Sequence, residues 1–176
     1  MNKQGLSSAQ KGTAMHSIMQ FIEFSENVDV KAEIERLVEW QYITEEQGNC
    51  ADIDKLNGFF ESELYNRILR AKSVKREMRF LTELPAKRIY ENVDKEFEDS
   101  KVIVQGAVDL LFEEEDYIVV VDFKTDRVNS EEAIADLYGE QLEIYGKACE
   151  TIYKKPVKEK IIYSFYLGKI IPLTSS

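Results

Sequence analysis

The sequence predicts an α/β fold, a mixed sheet combined with helices, and three observations carry that expectation. Apolar residues up to position 69 recur at helical spacing. Between 74 and 121 they form β-branched and aromatic runs separated by turn signals, and after 130 one long helical pattern is followed by a last strand-like run. The order helices, three strands, helix, then one or two strands suits a layered α/β sandwich.

Residues 1–11 are polar and read as a loose N-terminal segment or linker. Thr13 is the expected cap of a first helix, whose apolar stripe is Met15, Ile18, Met19 and Ile22. His16 lies at the margin of that stripe, where a histidine is either a satisfied core-edge residue or a ligand. Ile34, Leu37 and Val38 mark a helix ending near Trp40; Ile53, Leu56, Phe59 and Phe60 mark another, and Leu64, Tyr65, Ile68 and Leu69 a third. These are core stripes to which no chemistry is assigned, while Glu45, Glu46, Asp52 and Asp54 read as a solvated acidic face. A first strand is expected over 74–84, ended by Pro85, and residues 91–100 read as an acidic turn region.

Two β-branched runs, 102–112 and 117–121, then flank four consecutive acids at 113–116. With those acids as the loop, Phe112 pairs with Tyr117 and Asp109 falls opposite Val120. Alternation puts Asp109, Val120, Asp122 and Lys124 on one face, the two aspartates being diagonal neighbours within roughly 7–8 Å. Unpaired charges in a strand interior lose on the order of several kcal/mol of hydration. Two compensations are open: nearby Lys or Arg side chains, or a hard divalent cation such as Mg²⁺ held by one or two carboxylates and several waters. Gly106, three residues before Asp109, allows a close approach or a kink. Ser130 starts a helix expected to reach Tyr153, with Ile134, Leu137, Ile144, Ala148 and Ile152 available to pack. Gln141 and Tyr145 are four apart and stack on one face of it, as ordinary surface or as a pair reaching a ligand. A strand over 159–166 and a short one over 169–172, across Gly168, complete the chain.

A chain of 176 residues is one domain on the usual expectation and buries roughly 70% of its unfolded surface. Its two cysteines, Cys50 and Cys149, are far apart and fit no disulfide framework, zinc site or iron–sulfur cluster. The absence of an apolar leader or span points to a cytoplasmic protein with no membrane partner. With 23 Lys and Arg against 33 Asp and Glu, the net charge of −10 counts against autonomous, tight nucleic-acid binding. It suits a catalytic module that receives its strand from a partner. No G-x-x-x-x-G-K-[ST] motif is present, so no ATP site is expected, and no Ser/His/Asp or Cys/His nucleophile pattern competes.

G-x-x-D at 106–109, D-x-K at 122–124 and Q-x-x-x-Y at 141–145, preceded by G-T-A-M-H at 12–16, resemble the consecutive motifs of the RecB-like branch of the PD-(D/E)xK nuclease superfamily. With V-D-F-K-T-D, they resemble most the nuclease domains of AddA-type subunits of AddAB helicase–nucleases, over about residues 12–166. The resemblance implies a restriction-endonuclease-like αβββαβ core with a mixed sheet and an extra N-terminal helical region. The domain then covers 12–176, with helices at 12–72 and the catalytic core at 73–172. It implies that Asp109, Asp122 and Lys124 are catalytic, and that His16, Asp109, Asp122 and the Phe123 backbone carbonyl hold Mg²⁺, or Mn²⁺, which suits an imidazole ligand. Gln141 and Tyr145 then bind substrate. Glu77 resembles an acid found at this point in the family; it either supports the metal site or pairs with Arg76 or Arg79.

The implied reaction is hydrolysis of single-stranded DNA phosphodiester bonds during double-strand-break processing for recombinational repair. The implied partners are DNA, the helicase domains of a parent chain and an AddB-like subunit. Relatives with an iron–sulfur cluster carry four cysteines, which this chain lacks. A stand-alone RecB-like exonuclease and a non-catalytic DNA-binding module on the same fold stay open.

Overall fold

The computed structural model describes residues 7–173. Helix α1 (Ser8–Phe21) starts before the expected Thr13 because Ser7 and Gln10 form a capping box, each side chain accepting the other's backbone N–H. Thr13 lies inside the helix, its hydroxyl donating to the Ala9 carbonyl. Of the segment expected to be loose, positions 1–6 lie outside the described residues. Helices α2 (Val30–Glu39), α3 (Glu45–Asn49), α4 (Ile53–Phe60) and α5 (Glu63–Arg70) follow. α3 occupies part of the stretch expected to be only a solvated acidic face. Thr44 and Gln47 close a second capping box, and Glu45 and Glu46 suit the positive end of the short helix.

Strands β1 (Ser73–Pro85), β2 (Lys101–Glu114) and β3 (Tyr117–Lys124) come next, then helix α6 (Glu131–Tyr153) and strands β4 (Val157–Ser164) and β5 (Lys169–Leu173). The five strands form one sheet in sequence order. β1, β2 and β3 pair antiparallel. β3 and β4 run parallel: Ile118 N–H donates to Pro156 O and Phe165 N–H to Lys124 O, the two bonds advancing together along both strands. Such a pair needs a long crossover, which α6 supplies. Gly168, at φ 64°, turns the chain into β5. The sheet is therefore mixed, with the expected αβββαβ order.

The chain divides into two compact units. The first combines the helices up to Arg70 with Phe123–Asn129 and Tyr163–Ile170, and its core is aromatic. Phe59 is fully buried and meets Phe123 edge-on at 5.3 Å and Tyr163 at 5.0 Å, with Phe165, Phe24, Phe60 and Tyr65 around it. The Tyr65 hydroxyl donates to Ser25 O and accepts from Ser25 N–H, which removes the cost of burying it.

The second unit holds Ala71–Asp122, Ser130–Ile162 and residues 171–173. Here Ala148 and Cys149 of α6 pack against Phe80, Val108, Leu111, Ile118 and Val120. The buried face of α6 is Ile134, Leu142, Gly146, Ala148 and Cys149, whereas Leu137 and Ile152, expected to pack, are 63% and 41% exposed. Gly146 on this face leaves room for the stem of the buried Lys160, whose ammonium pairs with Glu143 at 2.5 Å. Among the described residues no helix is long and apolar enough to cross a membrane.

A candidate active site at a break in the antiparallel ladder

The β2–β3 turn is two residues long, Glu115 and Asp116, with Glu113 and Glu114 inside β2. Glu115 adopts φ 48°, the positive value that primed hairpin turns require at their first central position. The short turn shifts the register by two residues from the expected one: Glu114 pairs with Tyr117 and Leu110 with Val121. Asp109 therefore stands level with Asp122, one step beyond the last pair, and not opposite Val120. The aspartates are direct neighbours instead of diagonal ones, at positions whose Cβ atoms lie about 4.5–5.5 Å apart in a regular ladder. Asp122 is 5% exposed, and alternation along β3 puts it on the face of Ile118 and Val120, against which α6 packs.

On the other side of β2 the pairing of β1 is continuous from Ser73–Glu113 to Pro85–Lys101 except at one place, Glu77 opposite Asp109. Glu77 has φ 48°, a left-handed conformation that costs about 1–2 kcal/mol for a residue with a Cβ. The pleat changes phase here on both strands. Lys75 and Met78 both reach the α6 side, Lys75 with its ammonium 4.6 Å from the centre of the Tyr153 ring, as do Val108 and Leu111. Glu77, Asp109 and Asp122 thus hold level positions on three neighbouring strands where the ladder opens. Oε2 of Glu77 is buried and meets no hydrogen-bond partner among the described residues.

Gly106 and Tyr145 are joined sterically. A methyl group built at Gly106 would lie 2.8 Å from Tyr145 Cε1 and 2.9 Å from both Tyr145 Cζ and Phe80 Cζ. Glycine is required here by a ring, not by a turn. Tyr145 stacks edge-on against Phe80 at 5.3 Å, and Gln141 Nε2 donates to its hydroxyl at 3.1 Å. The spacing of four brings the two side chains of Q-x-x-x-Y together as expected. Gln141 is exposed and Tyr145 half-buried.

Lys124 follows Asp122 by two residues on β3 and is half-buried. Its backbone carbonyl accepts from Phe165 N–H, so the carbonyl of Phe123 points to the opposite edge of β3. In the first unit a methyl group at Gly12 would come 3.0 Å from Thr125 Oγ1, which brings α1 against the residue that follows Lys124. His16 is one helical turn from Gly12, on the same face, and half-buried.

A family model described as the PD-(D/E)XK nuclease superfamily matches residues 2–172. The chain belongs to the PD-(D/E)XK nuclease superfamily. Among curated relatives it is 41% identical over 174 residues to the A subunit of the ATP-dependent helicase/nuclease of Thermoanaerobacter sp. (strain X514), and equally so to that of Clostridium novyi (strain NT). It is 39% identical over 175 residues to the protein of the same description from Ruminiclostridium cellulolyticum. These alignments cover 96–97% of the chain but only 14% of each relative, so the chain spans about one seventh of the length of the curated relatives it matches.

The carboxylates present suit the divalent cation that PD-(D/E)XK nucleases typically use, and two buried carboxylate oxygens, Glu77 Oε2 and Asp122 Oδ2, meet no hydrogen-bond donor among the described residues. Among the described residues no three His, Cys, Asp or Glu side chains gather into a group that could hold a metal ion. The acids form a row, not a cluster, and a cation that keeps several waters needs only one or two of them. The thiols stand outside this chemistry: burial pushes Cys149 up to about 12 and raises Cys50 as well.

Proposed function

We propose that this chain is a Mg²⁺-dependent deoxyribonuclease domain that hydrolyses phosphodiester bonds of single-stranded DNA in the cytoplasm. It would work within a helicase–nuclease that processes double-strand breaks for recombinational repair, alongside the helicase domains of a parent chain and an AddB-like subunit. The observation that carries this reading is the row of Glu77, Asp109 and Asp122 at the one gap in the β1–β2 ladder, with Lys124 next on the Asp122 face. Similarity to chains of ATP-dependent helicase/nucleases supports the wider setting.

Asp109 and Asp122 would hold Mg²⁺, or Mn²⁺ in its place, with His16 and the Phe123 carbonyl as further ligands and Glu77 supporting them. When bound, such a cation polarises a phosphoryl oxygen and lowers the pKa of water. Lys124 supplies a fixed positive charge to the phosphate oxygens as negative charge builds on them, and it orients the attacking water. Gln141 and Tyr145 hold the strand by a phosphate. The buried side chains beside the carboxylate row, Val108 and Val120 among them, exclude bulk water and strengthen each of these interactions.

The test is cleavage of end-labelled single-stranded DNA with Mg²⁺, with Mn²⁺ and with chelator, by the wild-type chain and by Asp122→Ala. Wild-type cleavage should need the metal, and the variant should lose about a thousandfold or more in rate. Its melting temperature in chelator should not fall, because one of two facing carboxylates has been removed. Cleavage that survives either the chelator or the substitution refutes the assignment.

A further inference from the structure

The row of acids explains how a phosphate is attacked but not how a flexible strand is held still over them. The steric tie between Gly106 and Tyr145 bears on that. We propose that Gly106 is a positioning residue of this nuclease: it seats the Tyr145 ring, and through the ring it aims the Tyr145 hydroxyl at a phosphate oxygen of the bound strand. This rests on the nuclease reading above and deepens it.

Three contacts fix the ring. Phe80 meets it edge-on at 5.3 Å, Gln141 holds its oxygen at 3.1 Å, and the bare Cα of Gly106 lies beneath Cε1 and Cζ. Cζ is the carbon that bears the hydroxyl, so Gly106 controls the end of the ring that does the work. Because the hydroxyl accepts from Gln141 Nε2, its own proton is left to donate elsewhere. Tyr145 is only half-buried and lies over Gly106, three residues before Asp109, and a phosphodiester oxygen is an acceptor that its O–H suits.

A methyl group at position 106 would stand 2.8 Å from the ring, where ordinary contact begins at 3.4 Å. The ring cannot yield toward Phe80, whose Cζ would itself be 2.9 Å from the new methyl. It has to tilt, carrying the hydroxyl with it, and a donor displaced by more than about 0.5 Å no longer makes the same bond. The two motifs G-x-x-D and Q-x-x-x-Y are in this sense one device, the glycine of the first making the place for the tyrosine of the second.

The experiment compares wild type, Gly106→Ala, Tyr145→Phe and the double variant in steady-state cleavage of a labelled single-stranded oligonucleotide with Mg²⁺, alongside thermal melting. A phosphate contact kept from ground state to transition state appears in KM. Gly106→Ala and Tyr145→Phe should each raise KM about tenfold or more with kcat little changed. The double variant should be no worse than Tyr145→Phe, since without the hydroxyl there is nothing to misplace. Additive KM effects, or a loss confined to kcat and melting, overturn the proposal. Tyr145→Phe leaves the packing as it is, so an unchanged KM in that variant overturns it even where Gly106→Ala does not fold. Asp122→Ala separates the two levels: if it cleaves, or if the wild type does not, the site reading falls and this inference with it. If only Asp122→Ala behaves as expected, the inference alone falls.

Discussion

Replacing Phe59 by alanine should cost about 4 kcal/mol of stability, and the figure follows from where the ring sits. Phe59 is 0% exposed and lies among Phe123, Tyr163 and Phe165, its centroid 5.0–6.2 Å from theirs, with Phe24, Phe60 and Tyr65 also in reach. Truncating a buried phenylalanine typically costs about 3–5 kcal/mol in transfer and cavity terms. The near-perpendicular pairs with Phe123 and Tyr163 add about 0.5–1.5 kcal/mol each before relaxation, so the upper half of that range applies. A domain of this size has about 5–15 kcal/mol in all, so the variant should stay folded at low temperature but with a much lower urea midpoint at constant slope. Trp40→Ala is the control: Trp40 is 61% exposed and should cost about 1 kcal/mol or less. A loss at Phe59 below about 2 kcal/mol, or no larger than at Trp40, refutes the view that this aromatic cluster holds the first unit together.

Two further outcomes follow from side-chain environments. Cys149, its thiol pushed up to about 12 by burial, should fail to react with an aromatic disulfide reagent at pH 8 until the protein is unfolded; Cys50, raised but half-exposed, should react slowly, and the check is counting released chromophore with and without denaturant. Glu33 is held below the usual carboxylate range by the Arg36 guanidinium, which it meets at 2.7 Å and 2.9 Å, and it also accepts Glu23 N–H at 2.7 Å. Its stabilising contribution is therefore complete above pH 4.5 and is lost as pH falls through the lowered value, so the melting advantage of wild type over Glu33→Gln should shrink steadily below about pH 4.5 and be constant from pH 5 to 7.

Element order was legible in the sequence because periodicity reports which face is buried. Ser130 and Tyr153 bound α6 as the capping and stripe signals require, and Pro85 ends β1. What periodicity could not give was register. Four acids in a row look like a loop, but the structure keeps Glu113 paired with Ile118 and its carboxylate with Lys155, so that only two residues turn. That two-residue difference moves Asp109 from Val120 to Asp122. The break at Glu77 was equally hidden, since a positive φ at a glutamate has no local signal in the sequence. The spacing of Gln141 and Tyr145 revealed their contact because a helix makes it locally, whereas the place of Gly106 under Tyr145 depends on how α6 lies on the sheet.

The acidity of the chain and its proposed work on a polyanion can be reconciled through the same geometry. A net charge of −10 repels DNA at long range, yet beyond a Debye length, about 8–10 Å at physiological salt, that field is largely screened. Within that distance the local groups decide. Lys124 follows Asp122 by two positions on β3, and a divalent cation held by the proposed carboxylates would reverse the sign of that row. Carboxylates by themselves would repel phosphate, and the same groups holding a cation would attract it. On the proposed reading, binding of the strand would be conditional on binding of the cation, and the domain would engage only the segment brought against its loaded site.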